Sequence, residues 1–141
     1  MTYDELAGGA IRDLAVYITV ADLTAAAVTQ TLTIPSPPLT SKYLVLGVGV
    51  EIDTEFDTAG GGDTVGVEVG NVGDPDQFLG ATAVGHGAGT GLVATAPGTF
   101  LPQLRDGDLK VKFTAAAANL DTFTEGVMYL RLWLLEITER S

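Results

Sequence analysis

The chain has 141 residues, enough for one domain that buries roughly 68–70% of its unfolded surface and too few for two well-cored ones. It has no cysteine and one histidine, which excludes disulfide scaffolds, thiolate zinc sites, iron–sulfur clusters, thiol nucleophiles and multi-histidine metal centres. Eighteen acids against seven bases give a net charge of −11, a field that repels phosphate backbones and anionic membranes and argues against both as partners.

In chain order, residues 1–10 carry Tyr3 and Leu6 around Gly8-Gly9 without a strand period, and Ile11 follows. This reads as a flexible N-terminal arm (1–10) on a single β domain (11–141), of the kind a partner orders. It lacks the basic start and apolar run of a signal peptide, so synthesis in the cytoplasm is expected. Arg12 to Val20 alternates, with Leu14, Val16, Ile18 and Val20 on one face. Ala26 to Ile34 sets Val28, Leu32 and Ile34 against a solvent row of Thr29, Thr31 and Thr33. Prolines at 35, 37 and 38 end that ladder.

Tyr43 to Phe56 is the longest alternation, with Leu44, Leu46, Val48, Val50, Ile52 and Phe56 sharing one parity. Across the Gly-rich turn 59–63, Thr64 to Val69 points Val65, Val67 and Val69 inward, and the two runs read as a hairpin. Asp76 to Leu79 suits a single helical turn, and Gly80 to Pro102 suits short edge strands or an ordered loop. Leu109 to Phe113 is a clean strand, whereas the four alanines 115–118 are too few for a helix. Val127 to Ile137 is apolar on both faces and therefore central; Arg131 and Glu136 interrupt it, and it falls short of the ~20 residues of a membrane helix. The sum is an all-β, single-domain antiparallel sandwich of jelly-roll type with about seven or eight strands, a barrel being the alternative.

Glu51, Asp53, Glu55, Asp57, Asp63, Glu68, Asp74 and Asp76 place eight acids in 26 residues. Asp53, Glu55, Asp57 and Asp63 are the only weak candidates for Ca²⁺, because carboxylates at alternate strand positions can converge on a cation. The EF-hand pattern fails, since Thr58 stands where glycine is needed and Thr64 where glutamate is. The simpler reading is a solvated strand face and its turn. Gly85-His-Gly-Ala-Gly-Thr-Gly91 lacks the lysine of a phosphate loop and any G-x-S-x-G partner, so it reads as a turning loop with an exposed His86. Tyr129, Arg131 and Trp133 share a parity on the last strand, either packed between two sheets or forming an interface platform. Lys110 and Lys112 read as edge-strand gatekeepers or partners of nearby acids. No catalytic residue and no cofactor is indicated.

Tyr43-Leu-Val-Leu-Gly-Val-Gly-Val-Glu-Ile-Asp-Thr-Glu-Phe-Asp57, followed by Asp63-Thr-Val-Gly-Val-Glu-Val-Gly-Asn-Val-Gly-Asp-Pro-Asp-Gln-Phe-Leu79, resembles small structural proteins of tailed bacteriophages, in particular capsid decoration (cement) proteins. The resemblance implies a binding module without turnover, seated on the outer capsid surface of a virion assembled in the host cytoplasm. Its partners would be the major capsid protein and itself, as a homotrimer at three-fold or quasi-three-fold axes. It implies capsid contacts from the arm (Tyr3, Leu6, Ile11) and a subunit interface at Tyr129, Arg131 and Trp133. The other function class is a carbohydrate- or Ca²⁺-binding sandwich module of a tail fibre or adhesin.

Overall fold

The computed structural model describes residues 1–7, 11–34, 42–71, 73–97, 104–105 and 109–137. Among the described residues ten strands follow one another: β1 (Thr2–Ala7), β2 (Ile11–Thr19), β3 (Thr29–Thr33), β4 (Lys42–Thr58), β5 (Val65–Gly70), β6 (Leu79–Ala83), β7 (Gly91–Pro97), β8 (Leu104–Arg105), β9 (Lys110–Ala115) and β10 (Phe123–Ile137). They form two antiparallel sheets. One runs β1-β2-β10-β4-β7 with β8 also on β4, and the other runs β3-β9-β5-β6. Two 3-10 turns, Val20–Asp22 and Leu120–Thr122, are the only helical pieces among the described residues.

The expected strands correspond to β2–β7, β9 and β10, and the antiparallel sandwich stands. The inward rows meet between the sheets: Leu14, Val16 and Ile18 of β2, Val48, Val50 and Ile52 of β4, and Met128, Leu130, Leu132 and Leu134 of β10 face Val65, Val67 and Val69 of β5 and Val111 and Phe113 of β9. Each such side chain contributes about 1.5–3 kcal/mol on burial. Phe56 and Phe113 close the layer edge to face, with ring centroids 5.6 Å apart.

Several details differ from the alternation alone. Residues 2–7, expected in an arm outside the sandwich, pair with β2 as an edge strand, Tyr3 opposite Val16 and Glu5 opposite Leu14. A register shift between Glu5 and Ala7 breaks the period of two that would have marked a strand. The runs around Asp57–Asp63 do not form a hairpin: β4 lies in the large sheet and β5 in the small one. An inward valine row looks the same whether its partner lies alongside in one sheet or across the sandwich. In β4 a bulge leaves Leu46 without a partner between Trp133–Gly47 and Leu134–Val45. Val45 is therefore buried and Leu46 exposed, the reverse of the expected parity. Residues 74–77 make a turn closed by Gln77 N–H donating to Asp74 O, with no helix before β6.

Candidate interaction surface

β10 is central, flanked by β2 and β4. Between Tyr129 and Leu135 its odd-numbered residues point away from the core because Met128, Leu130, Leu132 and Leu134 occupy the inner face. Tyr129, Arg131 and Trp133 thus lie half-buried on the outer face of the large sheet, which sets aside packing between the sheets. Trp133 stands opposite Gly47 and Arg131 opposite Gly49. A Cβ on Gly47 would sit 3.2 Å from Trp133 Cε3, and one on Gly49 would sit 3.2 Å from Trp133 Cη2. The indole therefore lies across two glycines of β4, a bed that any larger residue would tilt. Leu92 of β7 approaches the same spot, 3.4 Å from the Cβ position of Gly49, and is 59% exposed.

Arg131 is held from both sides. Its Nη2 donates to Asp13 Oδ1 at 3.2 Å, and its Nη1 to Glu51 Oε2 at 3.5 Å. The guanidinium carbon lies 5.8 Å from the Trp133 ring centroid. With Arg131 and Asp13 each 24% and Glu51 42% exposed, these ion pairs contribute only about 0.2–1 kcal/mol each, so their main effect is to orient the side chain. The Arg131 Nε is the one buried side-chain nitrogen or oxygen among the described residues without a hydrogen-bond partner. Tyr129 pairs with Tyr17 of β2, the rings 5.2 Å apart and tilted by 45°. Aromatic rings and one neutralised arginine therefore form a pre-set row.

The Ca²⁺ candidates are not brought together. Among the described residues no three Asp, Glu or His side chains converge on a metal position. Asp57 is buried, and its carboxylate accepts from Thr58 N–H (2.8 Å), Gly62 N–H (3.0 Å) and Asp63 N–H (2.9 Å). His86 Nδ1 lies 3.3 Å away, its side chain 60% exposed. The Asp63 amide, more than any other group, holds the Asp57 carboxyl below its ordinary value; burial opposes this, and the Gly62 and Thr58 amides and His86 add to the lowering. Asp63 instead accepts from the Thr58 hydroxyl, Glu55 accepts from Gly89 N–H at 2.7 Å, and Asp53 is exposed. Asp57, Asp63 and Glu55 are thus committed to fixing the β4–β5 turn and the glycine loop, where Gly87, Gly89 and Gly91 all take positive φ.

Lys110 and Lys112 are not on an edge, because β9 lies between β3 and β5. Lys110 donates to Thr33 Oγ1 at 2.7 Å, and Lys112 stands in register with Glu68 and Thr31. Tyr3 and Leu6 belong to β1 and Ile11 opens β2 opposite Leu135; their side chains lie outside the described residues.

No protein-family model and no curated protein matches the sequence. The fold is similar to that of a chain in the cyanophage Pam1 capsid asymmetric unit, with a TM-score of 0.62 and 21% identity over 92% of this chain and 87% of that one. At that identity, the likeness establishes a shared fold.

Sequence reasoning missed two contributors to the surface. Asp13 and Glu51 flank Arg131 only once β2, β10 and β4 are aligned, and no local spacing announces that. The Gly47-x-Gly49 pair in an otherwise apolar strand was the available signal for the tryptophan bed, since glycine inside a strand marks close approach of another group.

Proposed function

We propose that this protein is a structural component of a tailed-phage virion: a capsid decoration protein that binds the outside of the major capsid lattice as a trimer at three-fold or quasi-three-fold axes and stabilises the DNA-filled head. The outer row Tyr129–Arg131–Trp133, expected from the sequence as a subunit interface and proposed here as the capsid contact, carries the reading: it is seated on Gly47 and Gly49 and held by Asp13 and Glu51. Tryptophan, tyrosine and arginine dominate binding energy at protein interfaces, and side chains already ordered in the free protein lose little entropy on docking. The shared fold with a chain of a phage capsid asymmetric unit, over nearly the full length of both, supports placing such a surface on a capsid. Ile11, which opens β2 opposite Leu135 of β10, extends the contact, whereas Tyr3 stands in register with the inward-facing Val16 and is not part of this row.

The role is binding without turnover. Many weak contacts closed over a lattice give avidity that no single contact has. The net charge of −11 keeps decorated particles apart from one another and from free DNA.

The test adds purified protein to undecorated, expanded heads and measures bound copies after sedimentation. Saturable binding that protects the heads against heat, and loses affinity in Trp133→Ala and Arg131→Ala variants, is expected. A monomer that ignores heads but gains thermal stability with calcium or a glycan would replace this reading with that of a ligand-binding module.

A further inference from the structure

The two longest stretches without Asp, Glu, Lys or Arg are residues 23–41 and 77–104. The first supplies β3 and the second supplies β6 and β7. β3 and β6 are the opposite edges of the small sheet, while β7 is the outer strand of the large sheet beside β4 and touches β6. Soluble proteins usually guard such edges with charges, most often lysine. Here Thr29-Gln-Thr-Leu-Thr33, Leu79-Gly-Ala-Thr-Ala83 and Gly91-Leu-Val-Ala-Thr-Ala96 carry none, although the chain has eighteen acids and seven bases. Of the remaining edges, β1 carries Asp4 and Glu5, and the two-residue β8, in line with β7 on β4, carries Arg105. β3 also lacks a bulge, its ladder with β9 running in unbroken register.

We infer that the uncharged β6–β7 flank of one copy packs against the β3 flank of a second copy of this chain. Each copy carries −11, so contact through the acid-bearing surfaces sets carboxylates against carboxylates, which disfavours that contact in a desolvated interface. These two flanks meet without like charge. They lie on opposite sides of the sandwich, so the contact is head to tail, the type that makes a ring where the rotation closes and a filament where it does not; we infer the closed ring. Strand direction agrees. The order β3-β9-β5-β6 is antiparallel throughout, so β3 and β6 run in opposite directions. Rotation about an axis along the strands preserves direction, so β6 of one copy meets β3 of the next antiparallel and continues the sheet. The register shifts of β6 and β7 shorten this ladder, and exposed Ala81, Ala83 and Leu92 supply side-chain contact beside it. The number of copies, three, rests on the trimer proposed above; the contact itself does not depend on a capsid.

The experiment measures mass in solution by light scattering, then tests adjacency with introduced cysteines. The protein has no native cysteine, so any disulfide reports only the introduced pair. Thr31→Cys and Ala81→Cys copies, co-expressed and oxidised, are expected to form a linked dimer that neither forms alone. Thr31→Glu and Ala81→Glu each should raise the concentration at which the ring dissociates by about tenfold or more, with unchanged circular dichroism. A wild-type monomer, a ring indifferent to both glutamates, or cross-linking of either cysteine variant by itself would overturn the inference. A ring with the expected cross-link that fails to bind heads leaves the contact standing and removes the capsid reading.

Discussion

Replacing Gly126 by alanine strikes the one place among the described residues where backbone conformation and core packing demand the same residue. Gly126 lies in β10 at φ +149°, beside two register shifts in the β10–β4 ladder. A Cβ there would sit 2.6 Å from Phe56 Cε1 and closer still to Cδ1 and Cγ. Phe56 has no exposed surface and is braced by Phe113, so it cannot swing away without opening the core. The backbone term is about 1–3 kcal/mol and the overpacking term about 1–3 kcal/mol, together about 2–6 kcal/mol. Against a total stability of roughly 5–15 kcal/mol this is a large fraction, and it should lower the melting temperature by on the order of 10 °C. Gly80→Ala is the control, because its Cβ meets nothing within 4 Å and should change stability by less than about 1 kcal/mol. Thermal unfolding followed by circular dichroism reads both variants. Equal melting temperatures for Gly126→Ala and Gly80→Ala would refute the argument that Phe56 and the positive φ together require glycine.

Asp57 predicts an acid limb of stability. Its folded value lies below the ordinary 3.8, so the unfolded chain binds the proton more readily; the stabilisation is complete above 3.8 and is lost as the pH falls through the lower folded value. Asp57→Asn should be less stable than wild type at neutral pH, with a difference that narrows as the pH drops below 3.8; denaturant midpoints across that range test it, and a constant difference refutes it. Trp133 is the sole tryptophan, so its fluorescence should shift to the blue when heads bind, and Trp133→Ala should weaken binding by about 30-fold, corresponding to about 2 kcal/mol. An unshifted spectrum on saturated heads would place the contact elsewhere. Calcium or a chelator should leave the melting temperature unchanged, since the Asp57 oxygens already accept three backbone N–H groups.

The surface was partly legible beforehand. The parity of Tyr129, Arg131 and Trp133 put them on one face of a central strand, because alternation follows from the pleat. Which face that was did not follow, since both faces of β10 are apolar enough to be buried. The acidic block was legible as charge but not as structure: Asp57 before a glycine run is an Asx-type turn signal, yet its burial depends on where His86 and the Gly89 loop come to lie. The edge strands β6 and β7 were anticipated in the Gly80 to Pro102 stretch, while the pairing of residues 2–7 with β2, the next strand in the chain, was masked by the register shift between Glu5 and Ala7.

Composition and a period of two determined an all-β domain with inward rows at Leu14–Ile18, Val48–Ile52 and Val65–Val69, because a strand's side chains alternate whatever it pairs with. Sheet membership, the bulge that exposes Leu46, and the meeting of Asp13, Glu51 and Arg131 around Trp133 belong to the tertiary structure alone. Alternation specifies that a residue faces inward or outward. Which strand lies beside it is set by closure of the whole core, where contacts far apart in sequence must be satisfied at once.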